Sequence, residues 1–346
     1  MEEMFYLHPP DNDASLPKKV YVEPTSLCNL NCSICFRHGW FDEPKGHMCQ
    51  ATFDSLVCHL ASTDSVEEVF FGGMGEPLFH PDIVQMLSRV PSGIKKSLLT
   101  NGSLLTPQIS RTLVENGLDE LWISMDGFTK DSHDSIQLGS CFESIISNIS
   151  DFNKARKDAK TKLCITFVVT PDNLSQLEEI NSFADAFNVD LLNISHMIPG
   201  APVKENEMLY NRQDIYVGKM HRYAETLEKH EENLCPFVST NSVFVRWDGN
   251  VIPCMQLLHN TYTYLYEQRR KITSFSYGNI TEMSLLSCWN NPEYKVFRHR
   301  VNTFYFPFCT VCWGCEDREE NKSDCFLGEA PTCGACLWST GKVFCP

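Results

Sequence analysis

Short runs of β-branched and aromatic residues alternate with longer amphipathic stretches between Lys18 and about Pro199. This alternation is typical of repeated strand–helix units on a parallel sheet. The spacing between the runs leaves room for one helix each, so the pattern predicts six units and an α/β fold, a partial (β/α)6 barrel. The predicted strands are Lys19–Glu23, Glu67–Phe71, Lys96–Thr100, Glu120–Met125, Leu163–Val169 and Leu191–His196.

Two of the predicted helices have recognisable starts. Thr106 stands before Pro107, which combines a capping side chain with a first-turn proline. Asp172 precedes the run 173–187 and predicts a second capped start.

The pattern changes after the sixth strand. A polar segment from about Val203 to Asn233 predicts helix, and the chain from Cys235 onward is rich in Cys, Trp, Phe and turn residues. We therefore expect an N-terminal tail over 1–17, a core over 18–205, a helical bridge over 206–234 and an irregular α+β domain over 235–346. Within that domain, the Asp248-Gly249 pair between alternating apolar residues predicts a β-hairpin, and SLLSCWNNPEYKVFRHRV predicts an amphipathic helix.

Composition and charge narrow the function classes. The 346 residues are 42% hydrophobic, which supports a sizeable core and excludes disordered and fibrous folds. Lys+Arg number 29 against 44 Asp+Glu, a net charge of −15 that disfavours nucleic-acid binding. The first residues lack a basic end followed by an apolar run, and the longest apolar runs are strand-sized. We expect a cytoplasmic protein that does not bind membranes.

Seventeen cysteines are the most unusual feature of the composition. Reduced thiols are the rule in the cytosol, so metal binding explains them better than disulfides. Three lie between residues 28 and 35 and seven between 309 and 345, and this clustering favours metal sites over scattered core cysteines.

The first cluster, CNLNCSIC, places Cys28, Cys32 and Cys35 directly after the first predicted strand. Three thiolates are one too few for a 4Fe-4S cluster that only carries electrons, so one iron would stay open to another ligand. An open iron suggests catalysis. The alternative is a zinc site completed by Cys49, His38 or His47.

At this point the sequence resembles the radical S-adenosylmethionine (SAM) enzymes. FFGGMGEP, with Gly73 and Glu76, is similar to the glycine-rich stretch with which that family binds the amino group of SAM. The resemblance also implies that Ile34 packs against adenine, where the family usually has an aromatic residue, and that Ser124 contacts the ribose. Asn101 and Asp126, at the ends of the third and fourth strands, are SAM ligands or turn residues.

The C-terminal cysteines resemble the SPASM extension of these enzymes, which holds auxiliary iron–sulfur clusters. Nine thiolates are candidates, whereas two fully ligated 4Fe-4S clusters need eight. The family usually shows C-x2-C-x5-C-x3-C, but this chain has C-x2-C-x2-C-x9-C and a second C-x2-C. This difference leaves open which cysteines bind which cluster. Paired C-x2-C motifs also suit zinc. Cys288 is expected in the core. The candidates are Cys235, Cys254, Cys309, Cys312, Cys315, Cys325, Cys333, Cys336 and Cys345.

The closing segment DCFLGEAPTCGACLWSTGKVFCP resembles the radical SAM/SPASM maturases associated with tungsten-cofactor oxidoreductases of the aldehyde:ferredoxin type. This resemblance implies reductive cleavage of SAM to a 5′-deoxyadenosyl radical, a substrate that is a protein, a peptide or a pterin cofactor, and a ferredoxin or flavodoxin as reductant. Arg37, His38 and Trp40 line the substrate mouth or only pack the loop. The alternatives are a radical SAM enzyme that modifies peptides and, outside enzymes, a zinc-stapled interaction protein.

Overall fold

The computed structural model describes residues 15–202, 209, 218–221, 226–228, 234–309, 312, 315–326, 331–341 and 343. Within these residues, ten strands form one sheet in the order β10-β9-β1-β2-β3-β4-β5-β6-β7-β8, and β11 and β12 form a separate antiparallel pair. The strands are β1 Lys19–Val22, β2 Glu68–Phe71, β3 Lys95–Thr100, β4 Glu120–Ser124, β5 Lys162–Val169, β6 Leu191–His196, β7 Gly218–His221, β8 Thr226–Glu228, β9 Ser242–Val245, β10 Val251–Ile252, β11 Thr261–Leu265 and β12 Gln268–Ile272.

The six predicted core strands are confirmed, each within one residue of its predicted ends. β1 to β6 pair in sequence order and all in parallel, as in the register Val22 to Phe71 between β1 and β2. Their carboxyl ends therefore meet at one edge, where parallel α/β sheets collect their functional groups. Both faces of the strands are covered, and Val22, Phe71 and Leu121 are fully buried.

The sheet continues beyond the predicted core at both ends. β9 pairs in parallel with β1, and β10 returns antiparallel to β9, which confirms the predicted hairpin at Gly249, whose φ is +87°. At the other end, β7 pairs antiparallel with β6, and β8 with β7. The helical bridge predicted over 206–234 is therefore wrong where the structure describes it. The free edge of β6 offers unpaired backbone groups, and pairing with that edge outweighs the weak helical pattern of this segment.

Nine helices pack around the sheet among the described residues. Thr106 caps α3 as predicted, with its Oγ1 accepting from the Ile109 amide at 3.2 Å. The predicted start at Asp172 is wrong, because a short 3-10 turn begins after Asn173, whose side chain makes no capping hydrogen bond, and α6 begins only at Ile180. The helices are α1 Gln50–Ala61, α2 Ile83–Ser88, α3 Pro107–Glu115, α4 Lys130–Ile136, α5 Phe142–Ala155, α6 Ile180–Ala186, α7 Pro236–Ser239, α8 Leu285–Trp289 and α9 Pro292–Asn302.

The C-terminal helix predicted as one element is two. α8 ends before Asn291, whose side-chain oxygen accepts from the Glu293 amide at 2.9 Å and starts α9 at Pro292. Proline cannot donate to the preceding turn, which explains the break. Cys288 is fully buried in α8, as expected of a core residue. None of the helices in the described part of the chain is long and apolar enough to cross a membrane.

Candidate active site at the carboxyl edge of the sheet

The loop that carries Cys28, Cys32 and Cys35 leaves the carboxyl end of β1 and reaches the end of α4. The Ser33 amide donates to the Ile136 carbonyl at 2.8 Å, and the Asn31 amide donates to the Leu138 carbonyl at 3.1 Å. All three thiols are partly exposed. The fold thus holds the trio at the sheet edge while keeping it accessible to a ligand.

The three thiols form one electrostatic unit. Burial is the main cause that raises the pKa of Cys32 to about 12, and the nearby charges of Cys35, Asp126 and Cys28 contribute to the rise. Burial also raises the pKa of Cys28. The Arg37 Nε donates to Cys35 Sγ at 3.3 Å. Without iron, Cys28 and Cys32 hold their protons, so cluster binding would release protons from the site.

The glycine-rich loop after β2 lies against the start of the cysteine loop. Gly73 has φ +132°, and a Cβ there would lie 2.7 Å from Glu23 Cγ. A Cβ on Gly75 would collide with the carbonyl oxygens of Thr25 and Leu27. Both glycines are therefore required by close contacts, the first also by its backbone conformation.

Glu76 is buried directly below this loop. Its Oε1 accepts from the Leu78 amide at 3.0 Å and from Thr100 Oγ1 at 2.7 Å, while Oε2 accepts from the Asn101 amide at 2.7 Å. Burial raises the pKa of Glu76 to about 7, against the lowering effect of these hydrogen bonds. A carboxylate offers about four acceptor sites, so one on Oε2 stays available for a further donor.

Asn101, at the end of β3, connects Glu76 of the glycine-rich loop with the cysteine trio. Its Nδ2 donates to Asn29 Oδ1 at 3.1 Å and lies 3.9 Å from Cys28 Sγ. Its Oδ1 accepts from the Ser103 amide at 2.9 Å, as in a side-chain-stabilised turn. Asn101 is therefore both a turn residue and a neighbour of the cysteines.

Ser124 and Asp126, at the end of β4, are joined by Gln137, which the sequence analysis missed. Gln137 Nε2 lies 3.4 Å from Ser124 Oγ and donates to Asp126 Oδ2 at 2.9 Å. Asp126 Oδ1 accepts from the Val168 amide at 3.3 Å, and burial raises the pKa of Asp126 to about 6. Gln137, which directly follows α4, therefore orients the side chains at the end of β4.

A cavity of about 490 Å³ opens beside the trio. Ile34, His38 and Trp40 line it, whereas Arg37 turns away toward Cys35 and the Leu30 carbonyl. The opposite walls come from the loop 197–201 after β6 and from the β11–β12 hairpin, with the Arg269 guanidinium 3.6 Å above the Tyr262 ring. These walls join sequence-distant segments, so no local pattern could have identified them.

The C-terminal cysteines fall into two neighbouring groups. Cys235, Cys254, Cys333 and Cys336 line one small apolar cavity of about 20 Å³. Burial is the main cause that raises the pKa of Cys254 and Cys333, and the neighbouring thiols of the group add to it.

The second group lies beside the first. The pKa of Cys309 is raised to about 11 by burial, and Cys325 and Cys312 contribute to the rise. The Cys309 amide donates to the Gly334 carbonyl at 3.1 Å, which brings the two groups together. Cys315 is partly exposed, and Cys345 lies outside the described residues.

The side chains that would complete a zinc site at the first cysteine cluster have other partners. His38 Nε2 bonds Asn31 Oδ1 at 3.1 Å, Cys49 Sγ lies 3.3 Å from Thr52 Oγ1, and His47 packs edge-on against His80. Among the described residues, no group of three or more His, Cys, Asp or Glu side chains is arranged to hold a single metal ion.

The chain matches two family models. The model for the radical SAM superfamily covers residues 22–184, and the model for the SPASM iron-sulfur cluster-binding domain covers residues 235–316. The first match includes Cys28, Cys32 and Cys35. The second includes Cys235, Cys254, Cys309, Cys312 and Cys315 and ends before Cys325, Cys333 and Cys336.

Two curated relatives align along nearly the whole chain. The tungsten-containing aldehyde ferredoxin oxidoreductase cofactor-modifying protein of Pyrococcus furiosus is 30% identical over 95% of this chain and 97% of its own length. The AdoMet-dependent heme synthase of Methanosarcina barkeri is 23% identical over 94% of this chain and 98% of its own length.

A solved structure shares the fold. Streptococcus suis SuiB bound to S-adenosylmethionine has a TM-score of 0.60 at 16% identity, covering 90% of this chain and 73% of that one. The chain belongs to the radical SAM superfamily, as an enzyme that uses a 4Fe-4S cluster, S-adenosylmethionine and the auxiliary iron–sulfur clusters of a SPASM domain.

Proposed function

We propose that this enzyme matures a tungsten-cofactor oxidoreductase by modifying its pterin cofactor or the oxidoreductase itself. The observation that carries the proposal is the gathering of the cysteine trio, the glycine-rich loop and a 490 Å³ cavity at one edge of the sheet. The relative that modifies the cofactor of a tungsten-containing oxidoreductase aligns along 95% of the chain. When bound, the cluster and SAM together supply a 5′-deoxyadenosyl radical.

In this proposal, Cys28, Cys32 and Cys35 hold the catalytic cluster. Their mutual effect on the pKa of Cys32 and their partial exposure suit a shared ligand of that size. Each chain thiolate would bind one iron, which would leave one iron of the cluster without a protein ligand and available to SAM.

The chain's side chains would orient SAM around that iron. The free acceptor site of Glu76 suits an ammonium group, and Ile34 offers an apolar surface for adenine at the wall of the cavity. Ser124 suits a ribose hydroxyl because Gln137 fixes its position. The complete proposed SAM site is Ile34, Gly73, Glu76, Asn101, Ser124 and Asp126.

Two auxiliary 4Fe-4S clusters complete the proposed cofactor set. Cys235, Cys254, Cys333 and Cys336 line one cavity and would hold the first. Cys309, Cys312, Cys315 and Cys325 would hold the second, with Cys345 as the ninth candidate. The Arg270 guanidinium is buried beside Cys336, Cys309 and Cys333, where a fixed cation favours thiolates and the reduced state of a cluster.

The charge of the cavity supports an anionic substrate. The chain carries a net charge of −15, yet none of the described residues that line the cavity is Asp or Glu. The lining residues include Arg269 and His38. Aromatic rings at Trp40 and Tyr262 suit a flat heterocycle. A pterin with phosphate groups has both features, which favours it over a neutral peptide as the group that enters the cavity.

Anaerobically purified enzyme is expected to contain about twelve irons per chain and no stoichiometric zinc. With dithionite and SAM it should form 5′-deoxyadenosine, because the trio leaves an iron open. A ferredoxin or flavodoxin should replace dithionite as the reductant.

The substrate test compares a tungstopterin-containing aldehyde oxidoreductase with its cofactor-free form and with unrelated peptides. We expect deoxyadenosine formation to rise with the cofactor-containing protein or its released cofactor, whereas a rise with the cofactor-free form would indicate that the oxidoreductase itself is modified. A rise with peptides alone would favour the peptide-modifying alternative. Zinc without deoxyadenosine would refute the enzyme proposal.

A further inference from the structure

A buried network of charged side chains joins the end of β1 to the C-terminal part of the chain. His259 Nε2 lies 2.8 Å from Glu23 Oε1, and His259 Nδ1 lies 2.8 Å from Glu43 Oε1. Arg246 contacts Glu43 Oε1 at 3.1 Å and is itself paired with Asp248. The side chains of Glu23, Glu43 and His259 are at most 1% exposed, so the contacts lie out of water.

The geometry indicates that His259 carries a positive charge. Each ring nitrogen faces a different carboxylate, and an ionised carboxylate can only accept a hydrogen bond. Each carboxylate also accepts from a backbone amide, Glu23 from Met74 at 3.0 Å and Glu43 from Asn260 at 2.9 Å. Burial alone lowers the pKa of His259, but the two glutamates outweigh it and raise the pKa to about 9.

The network reaches the proposed SAM site through Glu23. Glu23 Oε1 holds the Met74 amide, in the middle of the glycine-rich loop, and the Glu23 side chain also fills the space where a Cβ on Gly73 would lie. On its other side, the His259 ring lies 4.3 Å from the ring of Trp40, which lines the cavity. His259 therefore contacts both Glu23, which holds the glycine-rich loop, and Trp40, which lines the cavity.

We propose that His259 is a positioning residue for SAM: by bridging Glu23 and Glu43, it fixes Glu23 against the Met74 amide and holds the glycine-rich loop in its binding conformation. This inference rests on the proposed SAM site. Buried ion pairs contribute little net stability compared with apolar packing of the same volume, so a set of four buried charged side chains suggests a role in fixing geometry. His259 itself does not touch SAM in this proposal.

The test uses reconstituted holoenzyme with SAM and dithionite, and measures the apparent KM for SAM and the saturated rate of 5′-deoxyadenosine formation. His259→Gln should raise the KM at least tenfold and change the saturated rate less than threefold, because binding would first have to order the loop. Glu23→Ala should do the same, since it removes the acceptor of the Met74 amide.

Glu23→Gln tests the effect of hydrogen bonding separately from the effect of charge. It also tests the proposal if His259→Gln folds poorly. The carboxamide oxygen can still accept from Met74, and its NH₂ can donate to Nε2 of a neutral His259 whose Nδ1–H faces Glu43. We expect Glu23→Gln to recover most of the SAM affinity that Glu23→Ala loses. Equal KM values in the two Glu23 variants would overturn the proposal.

His59→Gln is the matched control. His59 Nε2 bonds the Ile280 carbonyl at 2.9 Å, so it also joins the core to the C-terminal part, but it does not contact the glycine-rich loop. Its KM for SAM should match that of the wild type. An equal rise in His59→Gln, or no rise in His259→Gln, would refute the positioning role. If the wild type itself forms no deoxyadenosine, the proposed function fails instead.

Discussion

Replacing Cys32 by alanine is expected to abolish 5′-deoxyadenosine formation. Cys32 is the middle thiol of the trio, and the charges of both Cys35 and Cys28 act on its pKa. With two thiolates left, a 4Fe-4S cluster has too few protein ligands, and SAM has no held iron to bind. Iron should fall by about four per chain, to about eight, and deoxyadenosine in the dithionite assay should drop to background.

Cys58→Ala provides the control for the loss of a thiol. Cys58 lies exposed on α1 and is none of the candidate ligands, so Cys58→Ala should keep full iron content and activity. Deoxyadenosine formation by Cys32→Ala with its auxiliary iron intact would refute the assignment of the trio. A loss of all iron would instead indicate that the auxiliary clusters depend on the first one.

Glu76→Gln is expected to raise the KM for SAM by roughly 10- to 100-fold, the effect of losing one charged hydrogen bond. The buried carboxylate already satisfies the Leu78 amide, the Thr100 hydroxyl and the Asn101 amide. Its remaining acceptor site is the one proposed for the SAM ammonium. The amide of glutamine removes the charge and turns a donor toward a site that needs an acceptor.

The pH dependence gives an independent check. Burial raises the pKa of Glu76 to about 7, so the carboxylate form that attracts an ammonium increases as the pH rises from 6 to 7.5. The wild-type KM for SAM should therefore fall over this range, and the KM of Glu76→Gln should not.

Thr100→Val is the control for Glu76→Gln, because it removes one internal hydrogen bond and leaves the charge. It should lower the free energy of unfolding by about 1 kcal/mol and change the KM far less than Glu76→Gln. If Thr100→Val raises the KM as much, Glu76 acts only by supporting the loop.

Local sequence signals predicted much of the fold. Each core strand, such as Leu191–His196, is a short apolar run between turn signals, and Thr106-Pro107 marks a helix start by chemistry confined to four residues. The strand predicted through Glu23 shows the limit of such signals. The residue follows directly after β1, one position beyond the end of the strand, but nothing near it in sequence indicates its partner His259, 236 residues away.

Two of the errors have the same cause. Segments 218–221 and 226–228 became strands because the edge of β6 was free, and Asn173 starts a 3-10 turn because its side chain holds the Val168 and Asp126 carbonyls. In both places, a distant partner outweighed a weak local preference.

The sequence by itself determined the chemistry of this protein, because the number and spacing of Cys28, Cys32 and Cys35 limit what the loop can bind, and a short loop brings such close neighbours together. It also determined the parallel α/β core, since periodicity is a local property. Only the tertiary structure decided which C-terminal cysteines share a cavity, which segments enclose the space beside Ile34, and that Glu23, Glu43 and His259 form one charged network. These arrangements depend on contacts between residues that are far apart in the chain, and such contacts are set by packing and burial of the whole fold.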